Sequence, residues 1–318
     1  MLNSIEMCAG AGGQALGLEQ AGYSHEALIE IDHHCCNTLR HNRPSWNIIE
    51  DDLRRFKERA GDFKGVDLVA GGLPCPPFSV AGKQLGDRDE RNLFPDAFDI
   101  VDAIRPKAVM IENVRGFLDP VFAEYRDFIK ATLSKLGYVV DWKLHNASDF
   151  GVSQLRPRVA IVAIKKSVSD RFVWPEPSKI TPLSVGELIA DQMMENGWKG
   201  AAEWAKKADS IAPTIVGGSK KHGGPDLGPT RARRAWETLG VNGKTIAESA
   251  PDHSFEGNPR LTIPMVARIQ GFPDDWVFTG KKTNAYRQVG NAFPPPVAAA
   301  LAGAIGKCIG SNELKAVA

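Results

Sequence analysis

Five short apolar runs rich in β-branched residues, set between stretches of helical character, constrain this chain more than any other feature. They are Ala27-Leu28-Ile29, Trp46-Asn47-Ile48-Ile49, Val66-Asp67-Leu68-Val69-Ala70, Ala108-Val109-Met110-Ile111 and Val159-Ala160-Ile161-Val162-Ala163-Ile164. Runs of this kind suit strands buried on both faces, so the pattern predicts an α/β fold built on a mainly parallel sheet. With 318 residues and 43% hydrophobic content there is ample material for one large core or two smaller ones.

The pattern changes after Lys165. Prolines at 175, 177 and 182, tryptophans at 174, 198 and 204 and few clear strands continue to about Pro259, which marks a second, smaller domain. Helical spacing returns from Leu261 through Met265 and Ile269 to Gly271-Phe272-Pro273. A last apolar helix, Val297 to Ile305, follows Pro294-Pro295-Pro296, where proline suits a first turn. The expected segments are 1–170, 171–258, 259–282 and 283–318, the last returning to the first domain; no internal repeat or low-complexity tract is evident.

Lys and Arg (39) almost balance Asp and Glu (38), so any attraction to nucleic acid must come from uneven placement of charge. The N-terminus lacks a basic region followed by an apolar core, and no uninterrupted apolar stretch reaches about 18 residues. The reading is a soluble, cytoplasmic protein without a membrane partner. Cys8, Cys35, Cys36, Cys75 and Cys308 form an odd set without CxxC spacing, which fits a reducing compartment.

Gly10-Ala11-Gly12-Gly13-Gln14-Ala15 satisfies G-x-G-x-x-G/A between a short strand and a helix, and Glu30 lies 20 residues beyond Gly10. Glycine lets the backbone approach a ligand, and a carboxylate at the next strand end can accept two ribose hydroxyl protons; a glycine turn with a surface glutamate is the alternative. Asp52, Pro74-Cys75-Pro76-Pro77 and Glu112-Asn113 then follow the third, fourth and fifth strands. Open parallel sheets bind ligands at that carboxyl edge.

Three prolines fix the backbone around Cys75, which suits a preorganised nucleophile or a buried structural thiol. The polar stretch Ser79 to Asn92, with Gly82 and Gly86, reads as a mobile cover. Glu112 ends an apolar strand, where burial would raise its pKa and fit it to act as an acid; a helix cap or an ion-pair partner would explain it equally. Arg156 and Arg158 stand at alternate positions leading into a strand and so share a face, suited to phosphate or a carbonyl oxygen unless they are solvated edge charges. Asp32-His33-His34-Cys35-Cys36 with His41 lacks a second ligand pair at metal spacing, and a helix with mixed faces accounts for it. Between Pro213 and Trp236, Lys220, Lys221, Arg231, Arg233 and Arg234 face one acid, Asp226, with glycines at 217, 218, 223 and 224. Such a segment can follow a DNA groove or serve as solubilising surface.

Along nearly its whole length the sequence resembles bacterial C5-cytosine-specific DNA methyltransferases. The motifs are Ala9-Gly10-Ala11-Gly12-Gly13, Gly72-Leu73-Pro74-Cys75-Pro76-Pro77-Phe78-Ser79, Glu112-Asn113-Val114, Gln154-Leu155-Arg156-Pro157-Arg158, Arg268-Ile269-Gln270-Gly271-Phe272-Pro273 and Gln288-Val289-Gly290-Asn291-Ala292, in the family's order. The resemblance implies a Rossmann-like, S-adenosylmethionine-dependent fold with a target-recognition domain over 171–258. It makes Cys75 the nucleophile at cytosine C6, and Glu112 the group that protonates or hydrogen-bonds N3. Arg158 would bind cytosine O2 or a phosphate, and Arg156 would support the acid and the nucleophile loop. The cofactor pocket would comprise Cys8, Gly10, Gly12, Gly13, Glu30, Ile31, Asp52, Leu53, Pro74, Asn291 and Ala292.

Because C6 is shielded in a duplex, the cytosine must be extruded. DNA contacts would come from Ser79, Gly82, Lys83 and Gln84 in the covering loop, from Thr214 in Ala212-Pro213-Thr214-Ile215, and from Lys220, Lys221, Arg231, Arg233 and Arg234. Double-stranded DNA is the implied substrate, a nearby-encoded restriction endonuclease the implied functional partner, and a monomer the implied state. Cys8 stands where the family usually has phenylalanine, and Ile31 where some relatives carry tryptophan, so cofactor stacking should be weaker; Pro264-Met265 replaces a common Arg-Glu pair. A tRNA cytosine methyltransferase would show a Cys-Phe-Thr element absent here, and a nicotinamide-dependent dehydrogenase would leave Cys75, Glu112 and the arginines without roles.

Overall fold

A computed structural model describes residues 1–74, 92–217 and 224–310. Its seven strands are β1 (Leu2–Met7), β2 (Tyr23–Glu30), β3 (Ile48–Glu50), β4 (Leu68–Gly71), β5 (Ala108–Val114), β6 (Tyr138–Asn146) and β7 (Pro157–Lys165), in the order β3-β2-β1-β4-β5-β7-β6. β1 to β5 pair in parallel, as the apolar runs predict. β7 corrects the expectation: the run Val159–Ile164 lies antiparallel to both β5 and β6. β6 and β7 are joined by the short connection 147–156, and an antiparallel pair needs no long crossover. β6 escaped notice because it is an edge strand whose apolar positions alternate with Asp141, Lys143 and His145.

Side chains alternate across these strands, which sorts them onto two covered faces. Ile5, Met7, Val69, Val109, Ile111, Val159 and Ile161 pack in one core with α4 (Phe94–Ile104) and α5 (Ala123–Lys135). Leu68, Ala70, Met110, Ala160 and Val162 form the opposite core with α11 (Pro295–Ile309). Glu6 and Glu112 belong by the same alternation to the α11 face. α11 lies along α1 (Gly13–Gln20), and the approach is close: a methyl on Gly17 would stand 2.5 Å from Ala298 Cβ and from the Pro295 carbonyl oxygen. Together with α10 (Lys282–Asn291), α11 forms the one described window long and apolar enough to cross a bilayer. It is interrupted by the extended residues Ala292 and Pro294, and 61% of it is buried inside the protein.

Between residues 166 and 262 the described regular structure is helical, with α6 (Val185–Met194), α7 (Ala201–Lys207) and α8 (Thr230–Thr238). Ser184 and Glu187 cap the start of α6 reciprocally, each side chain accepting the other's backbone N–H. Trp198, Trp204, Trp236, Leu239 and Val241 share a single apolar cluster with Ala11 and Leu16 at the glycine loop and with Met265 and Ile269 of α9 (Ile263–Ile269). The region after β7 therefore shares one core with the loop that opens the first parallel crossover.

Candidate active site

The carboxyl ends of β1, β2, β4 and β5 open onto a crevice made of two adjoining cavities. The larger, about 460 Å3, is walled by Cys8, Gly10, Gly13, Gln14, Glu30, Glu112 and Asn291 among others, and the smaller, about 320 Å3, by Asp52, Leu53, Pro74 and Leu93. Cys8, Glu30 and Ile31 line both. The glycine loop makes room for this space. Gly10 has φ +55°, and Cys8 itself adopts φ +54°, a left-handed conformation that costs an L-residue about 1–2 kcal/mol. Gly12 departs from its expected role: it does not line the cavity, and a methyl there would collide with Leu39 and Trp276, so its bareness serves packing behind the loop.

Glu30 is buried, not a surface residue. Its two carboxyl oxygens accept the Gly10 and Asp32 amides, each at 2.7 Å. Burial pushes its pKa up, and those amides pull it back. A carboxylate has more lone pairs than two amides use, and Glu30 lines both cavities, where it can accept ribose hydroxyls. Asp52 caps α3 (Leu53–Phe56) by accepting the Arg54 amide at 2.9 Å. Its neighbours in the smaller cavity, Ile29, Ile31, Leu53, Pro74 and Leu93, are apolar and suit a flat base. Flat base, central hydroxyls and polar tail thus find matching walls in sequence: the smaller cavity, Glu30, and the larger cavity with Gln14 and Asn291. The residues present fit S-adenosylmethionine.

Glu112 lines the larger cavity from inside β5, which runs on to Val114, so Glu112 and Asn113 belong to the strand and do not follow it as expected. Arg158 Nε donates to its Oε1 at 2.7 Å, with both side chains about 15% exposed (14% and 15%). Acid at a ligand cavity and ion-pair partner are thus one arrangement. Burial raises the Glu112 pKa; Arg158, then Arg156, act against that rise. β4 ends beside it: a methyl on Gly72 would lie 3.6 Å from Glu112 Oε2. The chain leaves there toward Pro74 and Cys75. Cys75 itself lies outside the described residues, as do Ser79, Gly82, Lys83 and Gln84.

The two arginines do not act as a matched pair on one face. Arg156 is wholly buried, and donates to the carbonyls of Ile215 (2.6 Å), Gly290 (2.7 Å) and Ala292 (3.0 Å). The contact expected of Arg156, support of the acid, is made by Arg158. Nor are they edge charges, because β7 is an interior strand. Arg156 precedes β7 and so escapes strand alternation. Gln154 accepts the Ile215 amide at 2.9 Å and its own amide meets Gln270, whose Nε2 donates to Val289 and Ala292 carbonyls, both at 3.0 Å. This buried knot ties the β6–β7 connection to the 212–217 segment and to the cavity wall at Asn291–Ala292.

Thr214 Oγ1 donates to the Leu155 carbonyl at 2.5 Å, which fastens the 212–217 segment beside the arginines. On α8, Arg231 and Arg234 are exposed, three residues apart and on one face. Arg233 turns to the opposite side, its stem 3.3 Å from where a methyl on Gly243 would stand. Lys220 and Lys221 lie outside the described residues. Asp32 caps α2 (His33–Asn42) through the His34 amide, His33 bonds Glu50, and His34 bonds Asn284. Sequence reasoning passed over Glu6, Gln14 and Arg287, all on the larger cavity. An acid between Ile5 and Met7 of β1 was the available signal for Glu6.

A model of the family described as C-5 cytosine-specific DNA methylase matches residues 2–307. The type II methyltransferase M.NgoMIV of Neisseria gonorrhoeae is 56% identical over 301 residues, covering 94% of this chain and 95% of that protein. M.NaeI of Lentzea aerocolonigenes, also a type II methyltransferase, is 53% identical over 304 residues, covering 94% of this chain and 73% of its own length. Among solved structures, a DNA modification methyltransferase encoded within an Escherichia coli prophage superposes with a TM-score of 0.67 at 22% identity, covering 98% of this chain and all of that one. DNMT2 of Spodoptera frugiperda does so with 0.65 at 19%, covering 96% and 99%. These last two likenesses are of fold.

Proposed function

Since the chain belongs to the family of C-5 cytosine-specific DNA methylases, we propose that Cys75, Glu112 and Arg158 carry its chemistry at the mouth of the crevice. The protein is a DNA (cytosine-5)-methyltransferase of the restriction-modification type and works by the family's covalent mechanism. S-adenosylmethionine, when bound, supplies an electrophilic methyl group. The observation that carries the assignment is the Glu112–Arg158 pair between β5 and β7, beside Gly72 at the strand end that leads to Cys75.

A cytosine must leave the duplex to reach this site. The Cys75 thiolate adds to C6, and Glu112 gives a proton or a hydrogen bond to N3, which takes up the electron pair displaced by that addition. Arg158 holds the Glu112 carboxyl in place and presents its remaining N–H groups to the base O2 or to a phosphate. C5 becomes nucleophilic and accepts the methyl group. A base takes the C5 proton, the electron pair of that bond forms C5=C6, and expulsion of the Cys75 thiolate from C6 restores the aromatic ring and the enzyme. Arg156 positions the walls of the site and does not touch the base.

Arg231 and Arg234 on the exposed face of α8, with Thr214, Lys220 and Lys221, bind the target duplex, and residues 171–258 form the target-recognition domain. The protein acts as a monomer in the cytoplasm, beside a restriction endonuclease of the same specificity encoded nearby. The type II relatives support the endonuclease partner. The decisive experiment is bisulfite sequencing of mixed-sequence duplex DNA after incubation with S-adenosylmethionine, with Cys75→Ser as control. Protection within one recurring short motif, absent with the variant, is the expected result; turnover retained by Cys75→Ser removes Cys75 from the mechanism.

A further inference from the structure

Residues 154–156 invert the usual partition of polar and apolar side chains. Gln154 and Arg156 are wholly buried, whereas Leu155 between them is 48% exposed. Val216 has the same setting on the neighbouring segment, 42% exposed between the buried Ile215 and Gly217. The backbone fixes both positions. The Leu155 amide donates to the Ala212 carbonyl at 2.8 Å and its carbonyl accepts the Thr214 hydroxyl, while the amide and carbonyl of Ile215 are taken by Gln154 and Arg156. A scattered exposed leucine is ordinary, but two branched side chains held outward by one buried knot call for a partner.

Their place in the fold names that partner. β7 runs antiparallel to β5, so its start lies at the carboxyl edge of the parallel strands, beside the Glu112–Arg158 pair. Leu155 is three residues before Arg158, which keeps the two Cα atoms within about 11 Å. On the other side, a methyl on Gly228 would lie 3.6 Å from Val216 Cγ2 and 3.3 Å from Ala232 Cβ. Val216 is thus beside the first turn of α8, with its exposed Arg231. Two apolar side chains therefore stand between cationic groups assigned to DNA. Phosphates gain nothing from a leucine or a valine. Bases do: once a cytosine is extruded, its neighbours in the stack expose apolar faces that stacking had covered.

We infer that Leu155 and Val216 form an apolar wedge that fills the gap left in the base stack by the extruded cytosine and so holds the extruded state. The inference rests on the DNA-methylation reading above. Both residues act through position, and the chemistry stays with Cys75, Glu112 and Arg158.

Single-turnover methyl transfer, with protein and S-adenosylmethionine in excess, separates the wedge from the chemistry. Two duplexes carrying the motif found by bisulfite sequencing are compared. In one the target cytosine pairs with guanine; in the other it pairs with hypoxanthine, which keeps the major-groove edge of guanine but loses one hydrogen bond, so extrusion is easier. Leu155→Ala combined with Val216→Ala should slow transfer about 10-fold on the guanine duplex and about threefold or less on the hypoxanthine duplex. Leu155→Met, which keeps the apolar bulk, should stay within about twofold of the parent on both. Because the side chains are exposed, the variants should melt within about 2 °C of the parent. Equal slowing on both duplexes, or slowing on neither, overturns the wedge and leaves the methyltransferase reading intact. No protected motif in the bisulfite experiment overturns that reading and the wedge with it.

Discussion

Replacing Arg156 by methionine separates the two arginines by their work. Arg156 is the donor for the Ile215 and Gly290 carbonyls, while Ala292 O keeps a second donor in Gln270. Two buried carbonyls left without a partner cost about 1–3 kcal/mol each, or about 2–6 kcal/mol together. Part of this is recovered, because burial and the Arg158 charge already hold the Arg156 pKa well below its usual value, and methionine removes a desolvated cation. The net loss should be about 2–4 kcal/mol. Urea unfolding followed by tryptophan fluorescence measures it, and the Trp198–Trp236 cluster lies in the region the knot supports. A second signature is specific to the knot: S-adenosylmethionine affinity should fall, because Asn291 and Ala292 wall the cavity. Arg156→Lys should lose nearly as much, since an ammonium cannot span carbonyls on two separate segments as a planar fork does. A loss below about 1 kcal/mol, or lost stability with cofactor affinity unchanged, would refute the claim that Arg156 holds this wall.

Glu112→Gln should lower turnover by about 10²- to 10⁴-fold with cofactor affinity retained, as measured by methyl transfer and calorimetry; near-normal turnover removes it as the acid. His145 is packed against Phe150 and Trp174, and burial lowers its pKa from 6.5 to about 4. A depressed pKa means stability that is complete above pH 6.5 and is lost as pH falls toward 4; at pH 5 the loss is about 2 kcal/mol. His145→Phe should flatten that acid limb in urea titrations, and an unchanged slope would assign it to other groups. Arg231→Ala and Arg234→Ala should each weaken DNA binding and shallow its salt dependence by about one unit, whereas Arg233→Ala should leave the slope alone and reduce stability. A common effect of all three would erase the distinction drawn from the two faces of α8.

The parallel part of the sheet was legible because strands buried between two helical layers carry apolar runs, as Ala27–Ile29 in β2, Leu68–Ala70 in β4 and Ala108–Ile111 in β5 do. β6 was not, because an edge strand with a wet face alternates as a loop can. Glu30 and Glu112 were found by their place at strand ends, and the backbone amides on Glu30 follow from the same turn that frees the glycine loop. The assignment of Arg156 failed for a different reason. Alternate spacing defines a shared face only within a strand, and Arg156 lies one residue before β7, where its direction is set by contacts to Ile215 and Gly290, 59 and 134 residues away. Distances of that order in sequence leave no local trace.

Three carboxyls stand on this sheet edge or just beneath it, and their surroundings rather than their positions decide what each can do. Glu30 accepts two amides, which favour its charge, and it keeps lone pairs for neutral hydroxyls. Among the described residues Glu112 has an arginine on one oxygen, so it sits between a fixed partner and an open cavity, where a proton can be gained or shared as the contents change. Glu6 has an oxygen with no partner at all among the described residues and is the most deeply buried of the three. A carboxyl in that state gains most from an incoming cation. The same side-chain chemistry on one sheet is thereby set in three different electrostatic conditions. Exchanging the surroundings, for instance by removing Arg158, should move Glu112 toward the Glu6 condition: a higher pKa and a carboxyl held neutral until a cation arrives.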